Sequence, residues 1–254
     1  MGNYKMILQY EGTRYQGWQR QDSTDNTIQG KLEAILTKMQ GTFVKVDGSG
    51  RTDAGVHAKG QVASFQLETS KSEDEIMEYL NRYLPEDIAV IDLRKVPARF
   101  HARLNAQGKT YEYRVLNTEI PQVFERRYAY VFSQKLDIEA MEKAAQVMCG
   151  THDFQAFTSK KMKKSTIRNV EKISIKRSDE IKDELIFTFS GDGFLYHMVR
   201  IMMGTLLEVG THKKNAEDIE EIIASRKREK AGFLVPGNGL TLLEVRYPKK
   251  CLEW

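Results

Sequence analysis

Two stretches of this chain run through the same succession of hydrophobic periods, and that repetition constrains the fold more than any other feature. In the first stretch, residues 5–10 alternate as a strand that ends at Gly12. Residues 27–39 place Ile28, Leu32, Ile35, Leu36 and Met39 on one helical face, with Asn26 and Gln29 as a capping pair at its start. Residues 43–47 and 61–67 read as strands on either side of a glycine-rich loop. Ser72 and Glu75 have capping-box spacing and open a helix carrying Ile76, Leu80 and Tyr83, which Pro85 ends. Residues 88–95 close the set as a strand. The order is β-α-β-β-α-β, the split βαβ or ferredoxin-like unit.

The second stretch repeats it. Residues 110–116 alternate as a strand. Residues 138–148 carry Ile138, Met141, Ala145 and Met148 at helical spacing, with Gly150 as the stop. Residues 167–176 and 184–190 alternate as strands. Residues 194–209 read as a long apolar helix, 216–227 as a charged one, and 240–247 as the last strand. The expectation is an α+β fold. Two ferredoxin-like halves, residues 1–105 and 106–254, form a continuous, mainly antiparallel sheet with helices packed on it. The connection near residues 98–109 has no linker composition, so the halves should pack together.

The length of 254 residues suits two domains of ordinary size, and 41% hydrophobic residues suffice for a packed core. The net charge of +4 says little about a polyanionic partner, so the distribution of charge must decide. Cys149 and Cys251 form no CxxC pair, which argues against a zinc knuckle or disulfide framework and for a reducing, cytoplasmic setting. Residues 1–10 lack a signal-peptide apolar region, and no stretch reaches membrane-spanning length.

The loop between the two strands of the first half reads Gly48-Ser-Gly-Arg51-Thr-Asp53-Ala-Gly55-Val-His57-Ala58. Such a loop adds little to a core, and loops of this kind carry binding and catalysis. Asp53 is a nucleophile or general base beside Arg51, or equally the aspartate of an Asx-turn or a structural ion pair. Arg200 interrupts an apolar helical run. If its face is buried, the guanidinium requires an anion, either Asp53 or a substrate phosphate; the alternative is a solvent-facing arginine. Tyr111 and Tyr113 share one strand face, as stacking surfaces for a flat ring or as core residues. Basic residues gather at Lys160–Lys164, at Arg226–Lys230, and at Arg14 and Arg20 beside Tyr15 and Trp18. Each is a solvated surface or a phosphate contact. No P-loop, HExxH motif or cofactor fingerprint is present, so neither a metal nor a cofactor is expected.

Several pieces, in order, resemble the TruA family of tRNA pseudouridine synthases. They are Gly17-Trp-Gln-Arg-Gln21, the loop at 48–58, Phe100-His-Ala-Arg103, Lys109-Thr-Tyr-Glu-Tyr113, Gly150-Thr-His-Asp-Phe154 and residues 194–210. Together they span nearly the whole chain. The resemblance implies a doubled RRM-like fold, a homodimer with a cleft between the halves of each subunit, and a tRNA that contacts both subunits. It implies that Asp53 is the nucleophile, that Arg200 pairs with it, and that Arg51 flips or holds the target nucleotide. Tyr111 then stacks on the target base, and Leu242 lines an apolar pocket. The targets it implies are uridines 38, 39 and 40 of the anticodon stem-loop, modified without a cofactor. The loop glycines then allow backbone to approach a flipped nucleotide. Residues 233–240 match the family's pocket motif more loosely. A non-catalytic RNA-binding module on the same scaffold, or a carboxylate-dependent hydrolase of a small substrate, are the competing readings.

Overall fold

The computed structural model describes residues 1–120, 122–160 and 165–253. Four positions of the lysine-rich stretch, 161–164, lie outside the described residues. The chain divides into two compact units, Met1–Gln107 with Thr241–Trp254, and Gly108–Leu240.

The first unit contains β1 (Gly2–Tyr10), α1 (Ile28–Gln40), β2 (Val46–Gly48), β3 (His57–Leu67), α2 (Glu73–Tyr83) and β4 (Ile88–Val96). β1 lies between β3 and β4 and pairs antiparallel with both. Ile28, Leu32 and Leu36 recur every four residues on α1 and are fully buried, as are Ile76 and Leu80 of α2 and Met6 and Leu8 of β1. Each such side chain contributes about 1.5–3 kcal/mol by leaving water. The Ser72–Glu75 capping box forms in both directions at the start of α2, and the helix stops before Pro85.

The start of α1 differs from expectation. Thr27, not Asn26, is the cap, its side chain accepting from the Gly30 N–H. Asn26 instead donates to the Arg14 carbonyl oxygen. Gln29 turns inward and donates to Glu33 and to the Val46 carbonyl oxygen. This also explains why β2 starts at Val46 rather than at 43. The Val44 N–H donates to Thr37 Oγ1 and the Val46 N–H to Glu33 Oε1, so α1 side chains take the groups a longer strand would use.

The second unit contains β5 (Gly108–Leu116), β6 (Tyr130–Val131), α3 (Ile138–Met148), β7 (Gly150–Asp153), β8 (Ile167–Arg177), β9 (Glu184–Gly191), α4 (Met198–Gly210) and α5 (Asp218–Ser225). β5, β9, β8 and β7 pair antiparallel in that order, and β6 adds to β5 in parallel. α3 ends at Met148 with Cys149 as its cap, and Gly150, expected as the helix stop, follows with φ 104° and also opens the short edge strand β7. α4 begins four residues later than its apolar pattern suggests. Residues 194–195 are irregular and 196–197 form a turn, and His197 sits in the left-handed region at φ 65°.

The last strand, β10 (Leu240–Arg246), pairs in parallel with the start of β3, Thr241 opposite His57 and Leu242 opposite Ala58. That pairing, together with Tyr10 opposite Ala58, makes β3 start four residues before its own alternation shows. Among the described residues there are ten strands, mostly antiparallel, and five α-helices. No helix there is long and apolar enough to cross a membrane.

Candidate active site

In the first unit, residues 49–56 connect β2 to β3 and carry Arg51 and Asp53. The loop is held from several sides. The Ser49 N–H donates to the Val62 carbonyl oxygen at 2.7 Å, and Ser49 Oγ donates to Gln61 Oε1 at 2.7 Å. Gln61 Nε2 donates to the Gly50 carbonyl oxygen at 3.2 Å. The Thr52 and Tyr10 hydroxyls hydrogen-bond at 2.8 Å, and the Trp18 N–H donates to the Thr52 carbonyl oxygen at 3.0 Å. The Gly12 N–H donates to His57 Nδ1 at 2.9 Å. Tyr10, Trp18, Thr52, His57 and Gln61 are all buried. Burial pushes the Tyr10 phenol up to about 12, with its hydrogen bonds to Thr52 and Gln61 pulling the other way.

Asp53 is half-buried in a tight turn, its carbonyl oxygen accepting from the Val56 N–H at 3.2 Å. Gly55, the third residue of that turn, has φ 77°, a conformation that glycine adopts without strain. Gly48 packs against Trp18. A Cβ there would stand 2.4 Å from the Trp18 indole, so this glycine makes room for the tryptophan. Arg51 is exposed and donates from Nε to Gln19 Oε1 at 3.0 Å. Leu242 is buried on β10 and paired with Ala58, just past the aspartate loop. Thus Asp53, Arg51 and Leu242 all belong to the first unit.

Tyr111 and Arg200 belong to the second. Tyr111 lies on β5 opposite Phe189 and is 8% exposed. Phe194 meets its ring edge to face, with centroids 5.4 Å apart at 89°. Phe194 belongs to the stretch that leads into α4, so one segment supports Tyr111 and starts the helix that carries Arg200. Along α4 every side chain is buried except Arg200 and Glu208, which are half-buried and lie eight residues apart on one face.

Arg200 Nε donates to the Val235 carbonyl oxygen at 2.9 Å. The next residue, Pro236, accepts from the Tyr113 hydroxyl at 2.8 Å. Burial raises the Tyr113 phenol well above its ordinary value, against the pull of the Arg200 charge. Tyr113 is therefore a core residue that braces the 235–236 backbone, which in turn holds Arg200. Sequence reasoning missed both Val235 and Gln61. The first acts through its backbone and leaves no sequence mark; the second resembles any strand glutamine.

Among the described residues, four of the clustered basic side chains contact acids. Arg14 contacts Asp87 at 2.6 Å, and Arg20 contacts Glu33 at 3.1 Å while its guanidinium lies 5.2 Å from the Phe43 ring centroid. Arg226 contacts Asp153 at 3.0 Å, and Lys230 contacts Glu221 at 2.5 Å.

The first unit thus holds a carboxylate loop, and the second holds a buried tyrosine on a sheet and an arginine on an apolar helix, in a mixed α/β fold built on a mostly antiparallel sheet. Residues 6–105 and 144–248 match the family described as tRNA pseudouridine synthase, and the chain belongs to that family of isomerases, which convert uridine to pseudouridine in tRNA. The tRNA pseudouridine synthase A of Bacillus sp. (strain KSM-64) is 48% identical over 234 residues, which cover 92% of this chain and 95% of that one. The protein of the same name from Acetivibrio thermocellus is 44% identical over 248 residues, covering 97% of this chain and all of its own. The tRNA pseudouridine synthase A 1 of Clostridium tetani is 45% identical over the same number of residues, with the same coverage. The TruA resemblance read from the motifs agrees with these matches.

Proposed function

We propose that this protein isomerises uridines 38, 39 and 40 of the tRNA anticodon stem-loop, acting as a cytoplasmic homodimer with Asp53 as its nucleophile. The observation that carries this reading is the aspartate loop. Its backbone is hydrogen-bonded from β3 and the Trp18 segment, and its Thr52 and Ser49 hydroxyls from Tyr10 of β1 and Gln61 of β3, so Asp53 is positioned before any substrate arrives.

The reaction breaks the C1′–N1 glycosidic bond and makes a C1′–C5 bond. C5 loses a proton and N1 gains one, so atoms and electrons balance within the nucleotide. The target base must first leave its stack, at a cost of a few kcal/mol. In this reading Tyr111 stacks on the flipped uracil, Arg51 holds the vacated position, and Leu242 closes the apolar side of the pocket. Arg200 is the arginine that pairs with Asp53 in this reading. Asp53 attacks either the ribose or the ring; both routes need the same fixed carboxylate.

Asp53→Asn should abolish pseudouridine formation while tRNA affinity changes by less than about threefold. A variant that still forms product at the normal rate sinks the assignment. Mapping pseudouridine in tRNA from cells that lack the gene tests the positions: signals at 38, 39 and 40 should vanish and others remain.

A further inference from the structure

The segment that supports Tyr111 also presents a second aromatic surface. Tyr196 is 47% exposed, and its ring stacks on that of His197, with centroids 3.7 Å apart and planes 25° apart. The pair is held in place. Thr158, itself buried, donates from Oγ1 to the Tyr196 carbonyl oxygen at 2.9 Å, and His197 Nδ1 hydrogen-bonds Ser159 Oγ at 2.7 Å. His197 takes a left-handed backbone at φ 65°, which costs free energy for a residue with a Cβ. Strain of that kind persists where surrounding contacts over-determine it, and it gathers at functional sites. Lys160 follows Ser159 and is exposed. The Arg168 side chain runs past Gly193, within 4 Å of where a Cβ there would stand.

We infer that the Tyr196–His197 pair is a stacking platform for an unpaired tRNA nucleotide next to the target uridine, with Lys160 and Arg168 facing its phosphates. The inference rests on the proposed function and extends it. When the target base swings out, its neighbour loses a stacking partner. Only Leu195 separates Phe194, whose ring touches Tyr111, from Tyr196 in sequence, so a base on Tyr196 would stand close to one on Tyr111. His197 covers one side of the tyrosine, which leaves the other to the base. Aromatic–base stacking tolerates any base, so the platform would not restrict which nucleotide sits on it.

The test uses the full-length protein and an unmodified tRNA transcript carrying a fluorescent purine analogue beside the target uridine. Wild type should quench the analogue on binding. Tyr196→Ala should abolish the quench and raise Kd and KM by about 10-fold, the scale of one lost stacked base, with kcat within about threefold. Tyr196→Phe should restore both quench and affinity, because the ring and not the hydroxyl carries the effect. His197→Asn keeps a side chain that tolerates the left-handed backbone and should halve the quench or more. Normal quench and affinity in a folded Tyr196→Ala variant overturn the inference. So does a loss of self-association by that variant with tRNA affinity intact, which would make the pair a protein interface. Failure of wild type to form pseudouridine would instead count against the proposed function.

Discussion

The Trp18 N–H donates to the Thr52 carbonyl oxygen at 3.0 Å, while the Trp18 indole fills the space above Gly48. One residue therefore holds both the strand that enters the aspartate loop and the residue just before Asp53. Gly48→Ala sets these against each other, since the new Cβ would stand 2.4 Å from the indole. Overpacking of this sort costs about 1–3 kcal/mol. The expected result is a melting temperature lower by about 2–4 °C for each kcal/mol, with kcat reduced at least about 10-fold. Calorimetry and a pseudouridine-formation assay read the two. A lower melting point with unchanged kcat would show that Trp18 stabilises the unit without positioning Asp53.

Tyr10 gives the protein a marked alkaline limit. Burial raises its phenol from 10.0 to about 12, so folding favours the protonated form. That contribution is present in full below pH 10 and is lost as pH rises through 12. Two units at about 1.4 kcal/mol each make it worth about 3 kcal/mol. Tyr15, Tyr113 and Tyr247 are also raised, chiefly by burial, so all four act in the same direction. Tyr10→Phe should therefore show a shallower fall in stability between pH 10 and 12, measured by urea unfolding. Near neutral pH it should be less stable by about 1–3 kcal/mol, because Thr52 and Gln61 lose a partner. An unchanged alkaline slope counts against the role of burial.

What could be read from sequence was what depends on near neighbours. The Ser72–Glu75 box and the helix from Ile138 to Met148 rest on contacts three or four residues apart, and both formed at the expected positions. Where the partner is remote, local pattern misleads. The early start of β3 depends on Thr241 and Leu242, and the late start of β2 depends on Glu33. α4 reads four residues too long because Phe194 and Leu195 are as apolar as the helix, yet they pack from an irregular segment. The ordered motifs named the family and proposed its side chains. They could not show that a carbonyl at Val235 holds Arg200, since every residue has one.

The start of α1 distinguishes two caps by experiment. Thr27→Ala removes the acceptor for the Gly30 N–H and should cost about 1 kcal/mol. Asn26→Ala removes only an exposed bond to the Arg14 carbonyl oxygen and should cost less than half as much. Equal losses in urea unfolding would restore Asn26 as the cap.

Arg200→Lys separates charge from placement. Lysine keeps the charge but has no Nε–H to donate to the Val235 carbonyl oxygen, which is the bond that fixes the guanidinium. If catalysis needs the charge at one place, a displacement of about 1 Å is enough to lower kcat by about 10²-fold. KM should stay within about threefold, because lysine retains the positive charge. Thermal stability should change little, since Arg200 is only half-buried and its aliphatic stem is retained. Arg200→Gln, which removes the charge as well, should lose more activity than the lysine variant. A lysine variant with normal kcat would mean that charge alone suffices and that the Val235 bond is a packing detail.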